Sequence, residues 1–287
     1  MKEELGLKDS HFEVLLASRK KMFLGLVGAA LVCSGLTFFA PINGDRSFYA
    51  NILAVVASGS AFALSLQVVH RQKLKGLFPK MYASLALALG LWCAAETIWA
   101  YYELGLGIET PFPSVADAFW LAGYIPFTYF LIGILKHFLG VSRSMILPVI
   151  FASSLGFVLL GHILLQLHQS SDFSSQDGMV LYAIGSAYPI ADMVLLIPAA
   201  AIFIQLRKGK LTFTPWAFIV IAIFAFIVAD IGFAYSTLSD ETGDMNWVWN
   251  PLYNIGYFAI AISLLWHKQF FTVDEKKLLK TWQEKNR

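Results

Sequence analysis

The sequence predicts an all-α polytopic membrane protein. It has eight transmembrane helices, arranged as two tandem like-oriented four-helix repeats, with both termini cytoplasmic. Three observations predict this. The 287 residues are 57% hydrophobic and only 14% charged, where soluble domains carry roughly 25% charged residues. Several windows run for about 20 residues with at most one charge, enough to cross a bilayer core of roughly 30 Å as helix. Two stretches also recur. ADIGFAYSTL at Ala229–Leu238 follows AETIWAYYEL at Ala95–Leu104, and NPLYNIGY at Asn250–Tyr257 follows DAFWLAGY at Asp117–Tyr124. The offset is 134 residues between Glu96 and Asp230. It is 133 between Asp117 and Asn250, Gly123 and Gly256, and Tyr124 and Tyr257. Polar and aromatic positions match as well as aliphatic ones, which separates the repeat from a chance likeness of apolar helices. The runs are continuously apolar rather than alternating, which speaks against a β-barrel.

Residues 1–21 form a polar arm ending in Arg19, Lys20 and Lys21. Leu5, Leu7, Phe12, Leu15 and Leu16 suit a short interfacial helix on an anionic membrane face; disorder is the other reading. The first repeat, residues 22–139, opens with a span over Met22–Ala40. That run is too long for the apolar region of a cleaved signal peptide, so a retained helix is expected. Span two covers Phe48–Val69 and ends in the basic segment HRQKLKGLFPK. Span three, Met81–Tyr102, carries Glu96; an acidic, Pro-rich loop follows. Span four covers Asp117–Leu139. The second repeat, residues 140–267, holds span five (Met145–Leu167) and span six (Met179–Leu206, with Asp192). It continues with span seven (Phe213–Leu238, with Asp230) and span eight (Val248–Trp266). Residues 268–287 are a charged cytoplasmic tail.

Lys and Arg mark the cytoplasmic side of a membrane protein. An eight-span reading puts twenty of the twenty-one on one face, with only Arg46 opposite. The opposite loops carry Asp45, Glu103, Glu109, Asp172, Asp177, Asp240, Glu241 and Asp244. An even number of spans per repeat gives the two halves the same orientation, related by a pseudo-twofold along the membrane normal.

Four acids lie inside spans or at their edge: Glu96, Asp117, Asp192 and Asp230. A carboxylate near the bilayer centre costs about 2.5–3.5 kcal/mol on the translocon scale, so a partner, a proton or water must offset it. At about 1.5 Å per residue, Glu96 sits about 22 Å up from Met81, Asp192 about 21 Å up from Leu206 and Asp230 about 21 Å up from Trp216. Charged groups in a bundle face inward, which predicts one acidic cavity opening to the outer side. Trp99, Tyr101, Trp120, Tyr124, Tyr188, Phe233, Tyr235 and Tyr257 fall near that level, and acids among aromatic rings suit a cation or amine. The candidate ligand-binding residues are therefore Glu96, Trp99, Asp117, Tyr188, Asp192, Asp230 and Asn250. Structural roles stand beside this reading. Glu96 and Asp230 can serve as hydrogen-bond glue between helices, and the aromatics as an interfacial belt. Asp117 can cap span four, and Asn250 span eight. Asp192 follows Pro189, whose missing N–H frees the Gly185 carbonyl; a ligand or proton site and a simple packing kink are both compatible with that.

The remaining motifs exclude more than they suggest. Cys33 and Cys93 lie in apolar spans without a CxxC partner, and read as small buried hydrophobes. His162 and His168 are six residues apart and share no helix face. No metal site, cofactor motif, catalytic motif or nucleic-acid module is evident, and spans seven and eight lack a Lys for a retinal Schiff base.

At PFPSVADAFWLAGY, AYPIADMVLLIPA, ADIGFAY and NPLYNIGY the chain resembles the multispanning N-terminal sensory regions of many prokaryotic diguanylate cyclases and histidine kinases. Those show patterns of the type PSxADxFYLxxYP, YPxGDxxLL and ADxxY. The likeness runs over about Trp92–Leu265. It implies a membrane signal-input module, with Asp117, Pro189, Asp192 and Asp230 at signature positions. No cyclase or kinase domain follows span eight within these 287 residues, so the expected output is to a separate cytoplasmic signalling protein. The expected function is an integral plasma-membrane sensory module, which binds a small ligand or cation from the outer side. A small proton- or cation-coupled transporter is the alternative, and an intramembrane acid–base enzyme a third reading. Beyond the lipid bilayer and a signalling protein, a homo-oligomer is compatible with the sequence.

Overall fold

In a computed structural model, the described residues are 9–39, 45–72, 77–108, 112–136, 143–169, 171, 173–206, 210–238 and 246–270. Residues 1–8 of the arm, the tail from residue 271, and the loop acids Glu109, Asp172, Asp240, Glu241 and Asp244 lie outside them. The described residues form eight helices and no strand. These are α1 (Asp9–Phe39), α2 (Asp45–Gln72), α3 (Leu77–Ala100), α4 (Val115–Ile134), α5 (Arg143–Gln169), α6 (Gln176–Leu206), α7 (Lys210–Leu238) and α8 (Asn246–Phe270). Seven of them, α2 to α8, are long and apolar enough to cross a membrane, while α1 contributes a shorter apolar stretch, Val27–Phe39. The protein is a multi-pass α-helical membrane protein.

The first element departs from expectation. No helix break separates the arm from span one: α1 is continuous from Asp9. Neither Gly nor Pro occurs between Asp9 and Lys21, so nothing there stops a helix that has started.

An apolar solvent forces each polar group to find a partner within the protein. The hydroxyls in these helices do so locally. Thr37, Ser60, Ser65 and Thr97 each bond a carbonyl three or four residues back, at 2.6–3.1 Å. Two other hydroxyls reach a carbonyl of a neighbouring helix. Ser84 of α3 donates to the Pro126 carbonyl of α4 at 2.8 Å, and Ser34 of α1 to the Pro251 carbonyl of α8 at 3.4 Å.

Six helices close a ring: α2 packs on α3, α3 on α4, α4 on α6, α6 on α7, α7 on α8, and α8 on α2. Its interior is filled by Phe127, Phe130 and Leu131 of α4, Ile202 of α6, Ile223 of α7 and Tyr257 and Ile260 of α8, all essentially inaccessible. Outside the ring, α1 lies against α8 and α2, and α5 against α6. α5 is peripheral: Leu147, Phe151 and Val158 are 77%, 74% and 69% exposed, a surface suited to lipid.

Two glycines set how closely the ring helices approach. A Cβ on Gly123 of α4 would meet the Trp92 indole of α3, and one on Gly256 of α8 would meet the Phe226 ring of α7. Trp92 is 3% exposed and bonds the Trp120 carbonyl at 2.9 Å, so it has no free space to enter. At Gly133 the neighbour is the flexible Met81 thioether. Gly123→Val is therefore expected to cost about 1–3 kcal/mol by overpacking, and Gly133→Ala less. Melting temperatures in one detergent check this, and a fall for Gly133→Ala equal to that for Gly123→Val would contradict it.

Candidate functional site

α3, α4, α6 and α7 each bring one acid into the ring. Glu96, Asp117, Asp192 and Asp230 are 8%, 3%, 1% and 8% exposed. The expected outward-opening hollow is thus closed in this conformation, because tyrosine and tryptophan side chains fill it. Around the acids, helical periodicity places an aromatic residue one turn to either side of Glu96 and of Asp230. Trp92 and Phe226 meet on one side at 5.2 Å between ring centroids, and Trp99 and Phe233 on the other at 6.0 Å. The acids lie in the layer between. Trp120 and Phe112 complete the second side, at 5.6 Å from Trp99 and 5.3 Å from Phe233.

The hydrogen bonds run between helices. The Tyr124 hydroxyl of α4 lies 2.7 Å from Asp192 Oδ1 and 3.1 Å from Asp230 Oδ2. Asp230 Oδ1 accepts from Tyr253 of α8 at 2.5 Å. Glu96 Oε1 accepts from Tyr257 of α8 at 2.6 Å and from the Trp120 indole of α4 at 3.3 Å. Asp117 Oδ1 accepts from Tyr188 of α6 at 2.7 Å, and the Tyr188 ring lies 6.5 Å from that of Tyr124. Among the described residues, the partners of the four carboxyls are neutral hydroxyl, indole or backbone groups, apart from a contact at hydrogen-bond range between the Asp192 and Asp230 carboxyls themselves. Asp192 Oδ2 is buried with no partner at all. Among the described residues, no group of three His, Cys, Asp or Glu side chains could hold a metal ion.

The structure brings together Glu96, Asp117, Asp192, Asp230 and Tyr188. Asp117 both caps and faces the site. Ser114 is the N-cap of α4, and Asp117, three residues on, returns Oδ2 to the Ser114 backbone N–H at 2.6 Å, a capping box. Asp117 thus closes the cap from the third position instead of being the N-cap. The Trp99 indole donates to Glu103 at 2.8 Å instead of to one of the four acids, and its ring packs in the aromatic layer. Asn250 does not cap α8. That helix begins four residues earlier at Asn246, leaving Asn250 half-buried within it.

Two participants were not expected. Tyr253 is one, detectable as the residue that aligns with Trp120 in the recurring stretch and lies one turn from Tyr257. Glu103 is the other. α3 does not end in a loop but runs on through a π-helical turn, Tyr101–Gly105. This turn aims Glu103 at α2, where it accepts from Ser47 at 2.7 Å and Asn51 at 2.5 Å. No family model matches the chain, and no curated protein or solved structure is significantly similar to it.

The Tyr257–Glu96 bond joins α8 to α3 inside the ring. A double-mutant cycle of Tyr257→Phe and Glu96→Met, which removes the acceptor, is expected to give a coupling of about 0.6–1.7 kcal/mol, from the average to the maximum measured for hydrogen bonds between membrane helices. Reversible unfolding in mixed micelles checks it, and a coupling indistinguishable from zero would mean the two groups do not interact.

Proposed function

We propose that this protein is a plasma-membrane sensory module. In this reading a small cationic ligand from the outer side engages the acid–tyrosine layer, and the resulting change reaches a cytoplasmic signalling partner through the basic inner loops. One observation carries the reading: four buried carboxyls from four helices meet in one aromatic-walled layer with no cationic partner. Such an arrangement favours a positive group entering it, by charge and by cation–π attraction. The absence of a metal-holding trio among the described residues favours an organic cation or a proton over a divalent metal. The resemblance to signal-input regions of prokaryotic cyclases and kinases supports sensing as the purpose. The distribution of Lys and Arg supports termini on the cytoplasmic side.

The proposal includes the duplication, with residues 22–139 and 140–267 as like-oriented repeats. Its support is reciprocal bonding. Tyr124 reaches Asp230 across the halves, and its counterpart Tyr257 reaches Glu96, the counterpart of Asp230. Within the halves, Trp120 donates to Glu96 and its counterpart Tyr253 to Asp230. The Gly123–Trp92 and Gly256–Phe226 approaches pair in the same way. Bonds made twice suit a folding device. Asp192 has no such counterpart, because the matching stretch of α2 is Ser58–Gly59. A buried carboxyl present once, with an oxygen unpartnered, is the group to which we assign ligand contact.

A small secondary transporter is the second reading, favoured by the position of the acids between the two halves. Protein in lipid vesicles, exposed to ethylamine or choline from outside, separates the two. Sensing predicts that hydrogen exchange of the inner segment 70–80 changes in the wild type and not in Asp192→Asn. Net uptake of labelled amine would transfer the assignment to a carrier. Absence of both the response and the uptake would refute a cation site.

A further inference from the structure

Tyr124 poses a count of hydrogens. A phenol has one hydrogen to donate and can accept with its oxygen. Its oxygen lies 2.7 Å from one carboxyl and 3.1 Å from another. If both Asp192 and Asp230 were ionised, only one could receive the hydrogen, and the other would set its lone pairs against those of the phenol at hydrogen-bond distance. The contact is consistent with two good bonds only when one carboxyl carries a proton and donates it to the phenol oxygen, and the two carboxyls also lie at hydrogen-bond range of each other, a contact that likewise needs a proton on one of them. The surroundings identify that carboxyl. Asp230 has a second donor, Tyr253. Asp192 has none: its Oδ2 is buried and unpartnered in a side chain only 1% exposed. An anion is therefore least supported on Asp192.

We propose that a single proton is held between Asp192 and Asp230 across Tyr124, resting mainly on Asp192. This rests on the reading of the acid layer as a cation site, and names the cation that occupies its closed form. In that form Asp192 donates to the Tyr124 oxygen, Tyr124 donates to Asp230 Oδ2, and Tyr253 donates to Asp230 Oδ1. Passage of the proton is a concerted shift. Asp192 gives its hydrogen to the phenol oxygen as the phenol gives its own to Asp230, so one O–H bond breaks and one forms at each step and no charge leaves the layer. Afterwards Asp230 donates to Tyr124 and Tyr124 to Asp192 Oδ1. The charged and titratable groups facing the pair are Asp117 and Tyr124 from α4, Tyr188 from α6, Glu96 from α3, and Tyr253 and Tyr257 from α8. None is basic, so no side chain competes as the countercharge. α5 meets α6 through Gly156 against Met193.

Infrared spectroscopy of the full chain in lipid nanodiscs at neutral pH tests this. Expected is a carboxylic acid C=O band that shifts in D2O and shifts again when aspartate is labelled with 13C at its side-chain carbonyl. Asp192→Asn, whose amide can still donate to Tyr124, should lose that band. Tyr124→Phe should retain it at a changed frequency, because its acceptor is gone. Asp177→Asn, in the first turn of α6, should leave it unmoved. The labelled wild type needs no variant, and absence of a labelled acid band there overturns the proposal. So does a band that survives unchanged in Asp192→Asn and in Asp230→Asn. The spectrum reads the site and not its output. A band without any inner-segment response to amines therefore removes the sensing reading alone, and a response without the band removes the held proton alone.

Discussion

A carboxyl group in hydrocarbon must have its oxygens met from inside the protein, and in this bundle that requirement organises the neighbours. Leaving such a group unmet costs several kcal/mol. Apolar packing alone cannot choose partners among membrane helices, since lipid tails are as apolar as leucine. The acids do choose. Tyr124 of α4 reaches α6 and α7, Tyr257 of α8 reaches α3, and Tyr188 of α6 reaches α4. Each bond fixes a pair of helices and their rotation. The ring α2–α3–α4–α6–α7–α8 is thereby specified at one level, where a slip by one residue would strand an acid.

Packing above and below that level follows the same logic. Trp92 contacts Tyr124, Phe127, Phe226 and Tyr257 within 6.3 Å. It holds in place the very tyrosines that serve the acids. Gly123 and Gly256 let the large rings come this close. On the proposed duplication, one four-helix solution was copied and then altered at a few positions. Glutamate faces aspartate, tryptophan faces tyrosine, and Asp192 faces small residues. The first two changes keep an acceptor opposite a donor; the third adds an acceptor with no new donor, which points to chemistry rather than support.

Much of this was legible in the chain. The membrane class follows from sparse charge and long apolar runs. The shared depth of Glu96, Asp192 and Asp230 follows from helical rise alone, and so does their meeting in one layer once inward facing is required. What could not be read depends on rotation and on exact helix ends. Tyr253 and Tyr257 are four residues apart, and only the orientation of α8 decides which acid each serves. Asn250 looked like a cap because it aligns with Asp117 in the recurring stretch; α8 starts one turn sooner. Glu103 looked solvated because a helix was expected to stop before it. The closure of the layer was likewise hidden, since side-chain volume and not residue type decides whether aromatic walls stand apart or touch.

The π-helical turn at Tyr101–Gly105 has one more effect. By widening the helix there, it ties the end of α3 to α2 through Glu103, with Ser47, Asn51 and Trp99 all donating to one carboxylate. The corresponding position after Asp230 is Thr237, which has no carboxylate to offer. The two sides of the bundle are therefore fastened by different chemistry. The end of α7 is held to α8 instead, through the Trp249 indole on Ser236 at 3.3 Å and the packing of Trp249 over Gly232, so a carboxylate clasps one side where an indole and a hydroxyl clasp the other.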